Sequence, residues 1–179
     1  KMQPDAVPLA DTWGAMEALV EAGLVKEIGV CNYNAGLLHD LMAYANIKPA
    51  MLQIESHPYL TQERLLRAAS QYEMAVTAFS PLGALSYLEL NMAETGESVL
   101  NQAVVQAAAG RLDRTPAQVV LAWMEKRHIY AIPSSTSKVH LAENLAYGGV
   151  HLTDSELALI DDLDNSDRIV NPDFAPDWD

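Results

Sequence analysis

Apolar and polar positions alternate along this chain in two rhythms that take turns. One has the helical period of about 3.6 and the other consists of short apolar runs. Trp13, Met16, Leu19 and Val20 share a helical face, with Asp11 placed to cap its start and Gly23 where a C-terminal glycine belongs. Lys26-Glu27-Ile28-Gly29-Val30-Cys31 then reads as a strand. Asn34 opens a second helix through Leu37, Leu38, Leu41 and Met42, and Ala50-Met51-Leu52-Gln53-Ile54-Glu55 follows Lys48-Pro49 as the next strand. The cycle repeats. Thr61 caps a helix through Leu65, Leu66, Ala69 and Tyr72, and Ala75-Val76-Thr77-Ala78-Phe79 is the third strand. Two helices come next, one near residues 100–112 and one starting at Thr115-Pro116, where Gln118 completes a capping box. Ile129-Tyr130-Ala131-Ile132 is the fourth strand. A helix over about 138–147 and another capped by Thr153 and Glu156 close the series. Strands separated by helices favour a parallel α/β sheet with right-handed crossovers.

Between the third strand and the helix near residue 100 lies a long connection, residues 80–97, carrying Pro81, Gly83 and Gly96. Loops of this length are usually functional, so it is a candidate lid. Composition narrows the classes of partner. Of the 179 residues half are hydrophobic, enough to bury a core, and 11 basic against 24 acidic residues give a formal charge of −13. That balance argues against nucleic acid or an anionic membrane as the main partner. The longest apolar run is far short of a membrane span, and there is no signal-peptide pattern at the start. A single cysteine excludes a disulfide scaffold and fits a cytoplasmic setting. The chain opens on Lys1 rather than methionine, so it is expected to be a piece of something longer.

Ligands of parallel α/β folds meet the carboxyl ends of the strands. Those ends carry Cys31-Asn32, then Gln53 with Glu55 and His57, then Phe79-Ser80, then Ser134-Ser135-Thr136. Amides, hydroxyls and one aromatic suit a neutral heterocycle or a phosphate, and supply no nucleophile–base pair. Taken singly, each is also ordinary turn chemistry. Glu55 and His57 share a strand face but lack an adjacent third metal ligand, and the five histidines are scattered. Cys31 reads as a small buried hydrophobe rather than a reactive thiol. The acidic group Asp161, Asp162 and Asp164 reads as a solvated helix face. Neither the Gly-rich dinucleotide fingerprint nor a P-loop is present.

Four segments in register carry a resemblance. Gly23-Leu24-Val25-Lys26-Glu27-Ile28-Gly29-Val30-Cys31-Asn32-Tyr33-Asn34 resembles the GLVKxIGVSNF segment of the aldo-keto reductases. Ile47-Lys48-Pro49-Ala50-Met51-Leu52-Gln53-Ile54-Glu55-Ser56-His57-Pro58-Tyr59 resembles that family's KPAxNQIExHPY. Val76-Thr77-Ala78-Phe79-Ser80-Pro81-Leu82-Gly83 is similar to VxAYSPLG, and Ile132-Pro133-Ser134-Ser135 with Glu143-Asn144 to IPKS…EN. The tail, from Asn171-Pro172 to Asp177-Trp178-Asp179, is similar to diketogluconate-reductase-type and xylose-reductase-like members.

The resemblance implies the C-terminal half of a TIM (β/α)8 barrel, four parallel strands with surrounding helices, forming one partial domain over residues 1–179. It also implies an NAD(P)H-dependent reductase of aldehydes or ketones, of sugar or keto-sugar type. The family's catalytic Asp, Tyr, Lys and His fall in the first half, so no catalytic residue is assigned here, and the chain alone is expected to be inactive. The cofactor residues carry over. Asn32 and Gln53 would hold the nicotinamide carboxamide, with Cys31 where the family usually has Ser. Phe79 would stack on the nicotinamide, and Ser80 and Leu82 would cover the pyrophosphate. Ser134, Ser135, Thr136, His140, Glu143 and Asn144 would surround the adenosine 2′-phosphate and adenine. Many members place Lys at Ser134 and Arg at His140, so the preference for NADPH over NADH is expected to be small, with Lys138 nearby to compensate. Because family relatives serve as channel subunits or lens proteins, a non-catalytic dinucleotide-binding module or an inactive fragment is the alternative. A half-barrel would also have two open sheet edges and an exposed interior face lined by Val30, Leu52, Ile54 and Val76. Such a chain is expected to need the missing half or to self-associate, aggregate or remain partly molten.

Overall fold

The computed structural model describes residues 6–83 and 98–170. The elements run in chain order α1 Leu9–Glu21, β1 Gly29–Cys31, α2 Ala35–Tyr44, β2 Met51–Glu55, α3 Glu63–Gln71 and β3 Ala75–Phe79. After a single 3-10 turn at Val99–Asn101 come α4 Ala103–Leu112, α5 Pro116–Lys126, β4 Ile129–Ala131, α6 Lys138–Leu145 and α7 Asp154–Asp161. The four strands are parallel and hydrogen-bond in the order β1-β2-β3-β4. Between β1 and β2 the register is Gly29↔Met51, Val30↔Leu52 and Cys31↔Gln53. A Cβ on Gly29 would stand 2.6 Å from the Met51 carbonyl oxygen, so the strands meet there only because residue 29 has no side chain. Among the described residues no helix is long and apolar enough to cross a membrane. The candidate lid, from residue 84 on, and the tail from Asn171 lie outside the described residues.

By packing, the described chain divides into two compact units: residues 6–54 with 62–76, and residues 55–61 with 77–83 and 98–170. In the first, Trp13, Ile28, Leu41 and Ala45 form a buried cluster against which Met16, Val20, Val30, Tyr33, Tyr44 and Ile47 pack. Polar ties fix α1 to the end of α2. Trp13 Nε1 donates to the Ile47 carbonyl (3.1 Å), and the Glu17 carboxylate accepts the Asn46 and Ile47 amides at 2.7 and 2.9 Å. The Ile47 amide, more than any other group, holds the Glu17 carboxyl below its ordinary range. Helix α1 ends in a Schellman motif: Gly23, at φ 70°, donates to Val20 and Leu24 donates to Leu19.

The second unit is organised by α5, whose residues 118–124 are buried without a break. A helix apolar on all sides must be covered on all sides, and α4, α6 and β4 pack against it. Gln118 closes the predicted capping box with Thr115. Its amide nitrogen also donates to the Glu143 and Ala146 carbonyls, satisfying the end of α6. Trp123 Nε1 donates to Asp161 (2.8 Å), Arg127 donates to the same oxygen (2.7 Å), and the Arg127 guanidinium lies 4.7 Å from the Trp123 ring centroid.

Four sequence expectations fail. Asp11 sits inside the first turn of α1 rather than capping it, because Pro8 holds the N-cap position. Thr61 is buried and gives its hydroxyl to the Asp164 carboxylate, so α3 starts at Glu63 behind Gln62 in a left-handed conformation. The acidic group is not simply solvated, since Asp161 and Asp164 are acceptors for Trp123, Arg127 and Thr61. The interior face expected to be exposed is covered. Leu52, Ile54 and Val76 are buried and Val30 packs on the Trp13 cluster, whereas Met51 and Cys31, of opposite parity, are exposed.

Helix α7 supplies a pH-dependent contact. Thr153 and Glu156 form the predicted capping box, and Arg111 grips Glu156 with two bonds of 2.7 Å. That grip draws the Glu156 carboxyl down to about 2. A depressed acid stabilises the fold above its ordinary value and loses that contribution as pH falls through the depressed one. Arg111 is 47% exposed, so water screens the pair and its worth is about 1 kcal/mol. Glu156→Gln is therefore expected to cost about that much at neutral pH and to flatten the loss of stability between pH 4.5 and about 2. Urea melts across that window are the measurement, and parallel curves for the two proteins would refute the assignment.

Candidate functional site

The sequence-predicted residues sit where strands end and backbones turn. In the first unit, β1 stops at Cys31 and the next residue, Asn32, takes φ 58° while its amide still donates to the Gln53 carbonyl at 2.9 Å. Asparagine is among the few side chains that accept a left-handed backbone readily. The turn keeps Asn32 beside Gln53, whose register partner is Cys31. Asn32 and Gln53 are half-buried, so this strand end offers two neutral amides, partly desolvated and able to donate and accept. Cys31, expected to be a small buried hydrophobe, is exposed, because β1 ends on the sheet face that carries the exposed Met51. Desolvation raises its thiol above the ordinary value, and a protonated thiol is a poor nucleophile.

In the second unit, Phe79 ends β3 half-buried, with its carbonyl accepting the Ser56 amide at 3.4 Å. Ser80 follows at φ 51°, and its carbonyl accepts the Gly83 amide (3.0 Å), closing a tight turn with Pro81 second. A left-handed serine stores backbone strain that asparagine at position 32 largely avoids. Such strain collects where a chain must expose a particular group. Nothing in the residue pattern announced it.

Beyond β4, the Ser135 hydroxyl accepts the Ser137 amide (3.1 Å), and Ser137 caps α6 by accepting from His140 (3.4 Å). Ser137 as the cap escaped the sequence reading, although a serine directly ahead of a helical pattern is a usable signal. Ser134, Thr136, Lys138 and His140 are exposed around this helix start. Glu143 and Asn144 follow His140 at the spacing of one helical face. Asn144 is buried, and the Glu143 carbonyl is taken by Gln118. A hydroxyl-rich turn leading into a helix N-terminus, with one lysine beside it, favours an anion.

Glu55 and His57 come together, but as a buried pair. His57 Nε2 is 3.0 Å from Glu55 Oε1, and both side chains are fully buried. Among the described residues no three His, Cys, Asp or Glu side chains gather as a metal site.

Comparison with known proteins matches residues 3–165 to the Aldo/keto reductase family. A probable NAD(P)H-dependent D-xylose reductase of Emericella nidulans is 45% identical over 174 residues, covering 96% of this chain and 54% of the relative. Its counterpart in Neosartorya fischeri is 43% identical over 178 residues, covering 98% and 55%. Among solved structures, an aldo-keto reductase complexed with NADPH superposes with a TM-score of 0.87 at 30% identity, over 96% of this chain and 52% of that one. A Bombyx mori aldo-keto reductase in complex with NADP gives 0.86 at 28% identity, over 94% and 54%. The chain thus spans about half the length of the relatives it matches.

Proposed function

Because this chain belongs to the aldo/keto reductase family, we propose that it is the cofactor-binding half of an NADPH-dependent reductase acting on aldehydes or ketones of sugar or keto-sugar type. The observation that carries this reading is the pair of half-buried amides at one strand end, with Asn32 turned left-handed onto Gln53. When bound, NADPH supplies the hydride for carbonyl reduction.

The chain's own residues bind and orient. Asn32 and Gln53 hold the carboxamide, a group whose one acceptor and two donors ask for amide partners. Cys31, kept protonated, borders it. Phe79 presents an aromatic face to the nicotinamide ring. Ser80 and Leu82 cover the pyrophosphate. Around the adenosine end stand Ser134, Ser135, Thr136 and His140 at the α6 N-terminus, with Glu143 and Asn144 on the same helix face. The hydroxyls, Lys138 and the helix terminus favour the 2′-phosphate of NADPH, while the lack of Lys at 134 and Arg at 140 leaves NADH as a second cofactor. No residue of this half serves as the acid that protonates the carbonyl oxygen. Residues 1–179 form one partial domain whose catalysis requires the other half of the barrel. The free Cys31 thiol suits the reducing cytoplasm, where we place the protein.

The test separates binding from turnover. Fluorescence titration with NADPH is expected to show saturable binding, weakened about threefold to fivefold by Asn32→Ala or Gln53→Ala, the worth of one neutral hydrogen bond. Unchanged affinity in both variants would overturn the carboxamide assignment. The purified chain with NADPH and an aldose is expected to show no oxidation of cofactor. Turnover in the usual enzymatic range of about 1–10³ s⁻¹ would overturn the division of labour between halves.

A further inference from the structure

The cofactor reading leaves unused the most deeply buried charge among the described polar groups. Glu55 ends β2 with its side chain fully buried. Its carboxylate accepts from His57 Nε2 at 3.0 Å, from the Ile169 amide at 2.7 Å and from the Val170 amide at 3.1 Å. Arg168 Nη1 lies 3.8 Å from it. Residues 168–170 therefore deliver, in three consecutive positions, one cation and two backbone donors to a single carboxylate. A second set of ties lies alongside. The Tyr59 carbonyl accepts the Asn165 and Asp167 amides (3.3 and 3.1 Å), and the Thr61 hydroxyl bonds to Asp164. Thus the loop of residues 55–61 holds the segment 164–170 through a series of hydrogen bonds.

We propose that Glu55 is the clasp of a strap, residues 164–170, which opens and closes on the β2-end loop as a local two-state element. Two features make the contact bistable rather than merely tight. A dry carboxylate is tolerable only while its donors are in place, so the strap cannot loosen by degrees: once the amides leave, water must enter. The closed state also carries a cost, since His57 Nδ1 is buried without a partner. The contact to Glu55 satisfies Nε2 and leaves the other ring nitrogen without a partner. Opening hydrates both groups together, and that gain offsets part of the lost bonds. The strap is thereby placed at the low-stability end of the unit. This inference does not depend on the cofactor reading.

Hydrogen exchange on the whole chain tests it. Glu55→Gln keeps the shape but turns one acceptor into a donor facing a backbone amide. Exchange at Ile169 and Val170 is expected to rise about tenfold to a hundredfold, the worth of a charge-assisted bond, while the α5 amides keep their rates. Thr61→Val, which cuts only the tie to Asp164, is expected to leave Ile169 and Val170 protected. Equal acceleration of strap and α5 in Glu55→Gln would make Glu55 a general core stabiliser, and no acceleration would remove it as the clasp. Either result overturns the proposal. Should the variant fail to fold, the native chain still decides. In sub-denaturing urea, Ile169 and Val170 are expected to exchange through an opening nearly independent of urea, and α5 through one that depends on it steeply. A shared steep dependence would refute a local strap.

Discussion

Trp123→Ala is expected to destabilise the second unit by about 3–5 kcal/mol, the usual cost of emptying a buried aromatic site. Trp123 is fully buried in the most enclosed stretch of α5, so little can collapse into the space it leaves. Its removal does more than open a cavity. Asp161 loses the indole donor, and Arg127 loses the ring under its guanidinium while keeping its bonds to Asp161 and to the Thr61 carbonyl. Trp123→Phe isolates the polar part. It refills most of the volume and keeps a ring for Arg127, so the remaining deficit, about 1–1.5 kcal/mol, is that of the lost hydrogen bond. Urea denaturation followed by circular dichroism measures both. A loss under about 1 kcal/mol for the alanine variant would mean that the site relaxes as a surface position does.

In a protein that joins this half to a complementary one, Ser134→Lys is expected to raise the preference for NADPH over NADH roughly tenfold at low salt. The 2′-phosphate is the only large difference between the two cofactors, and it carries close to two negative charges near neutral pH. A lysine ammonium at the exposed turn before α6 would bond to it and find nothing comparable on NADH. The chain's charge of −13 leaves the site short of cations, with Lys138 beside it already exposed. Screening acts within about 8–10 Å, so the gain should fall severalfold between low and high salt. Titrations of both cofactors at the two salt concentrations decide it. An unchanged ratio would withdraw the adenosine assignments from Ser134 to Asn144.

The parts of the fold that were legible in the sequence are those set by neighbours. Asn34, Thr115 with Gln118, and Thr153 with Glu156 cap the helices they were expected to cap, because each bond spans three residues and needs nothing else. The third strand falls on Ala75–Phe79, and the others differ only at their ends. What stayed hidden depends on partners far along the chain. Thr61 looks like a cap until Asp164 claims its hydroxyl, and Asp161 looks solvated until Trp123 and Arg127 reach it. The same holds for the site. Asn32, Gln53 and Phe79 could be placed at strand ends from pattern alone, whereas the left-handed Ser80 and the burial of Glu55 against residues 168–170 left no local trace. The burial of Leu52, Ile54 and Val76 was missed because fully buried strand positions and half-exposed ones look alike in a short apolar run.

The bonds from Glu55 to Ile169 and Val170 join residues 114 and 115 positions apart. Closing a loop of that length costs about 4 kcal/mol of chain entropy beyond a constant, so this contact gains only after most of the intervening chain is already ordered. A ribosome adding about 5–20 residues each second takes roughly 6–23 s to cover that span. During that interval the newborn β2 end holds a hydrated glutamate and histidine with nothing to dry them. The loop of residues 55–61 is thus among the earliest parts of its unit to be synthesised and among the last to be completed.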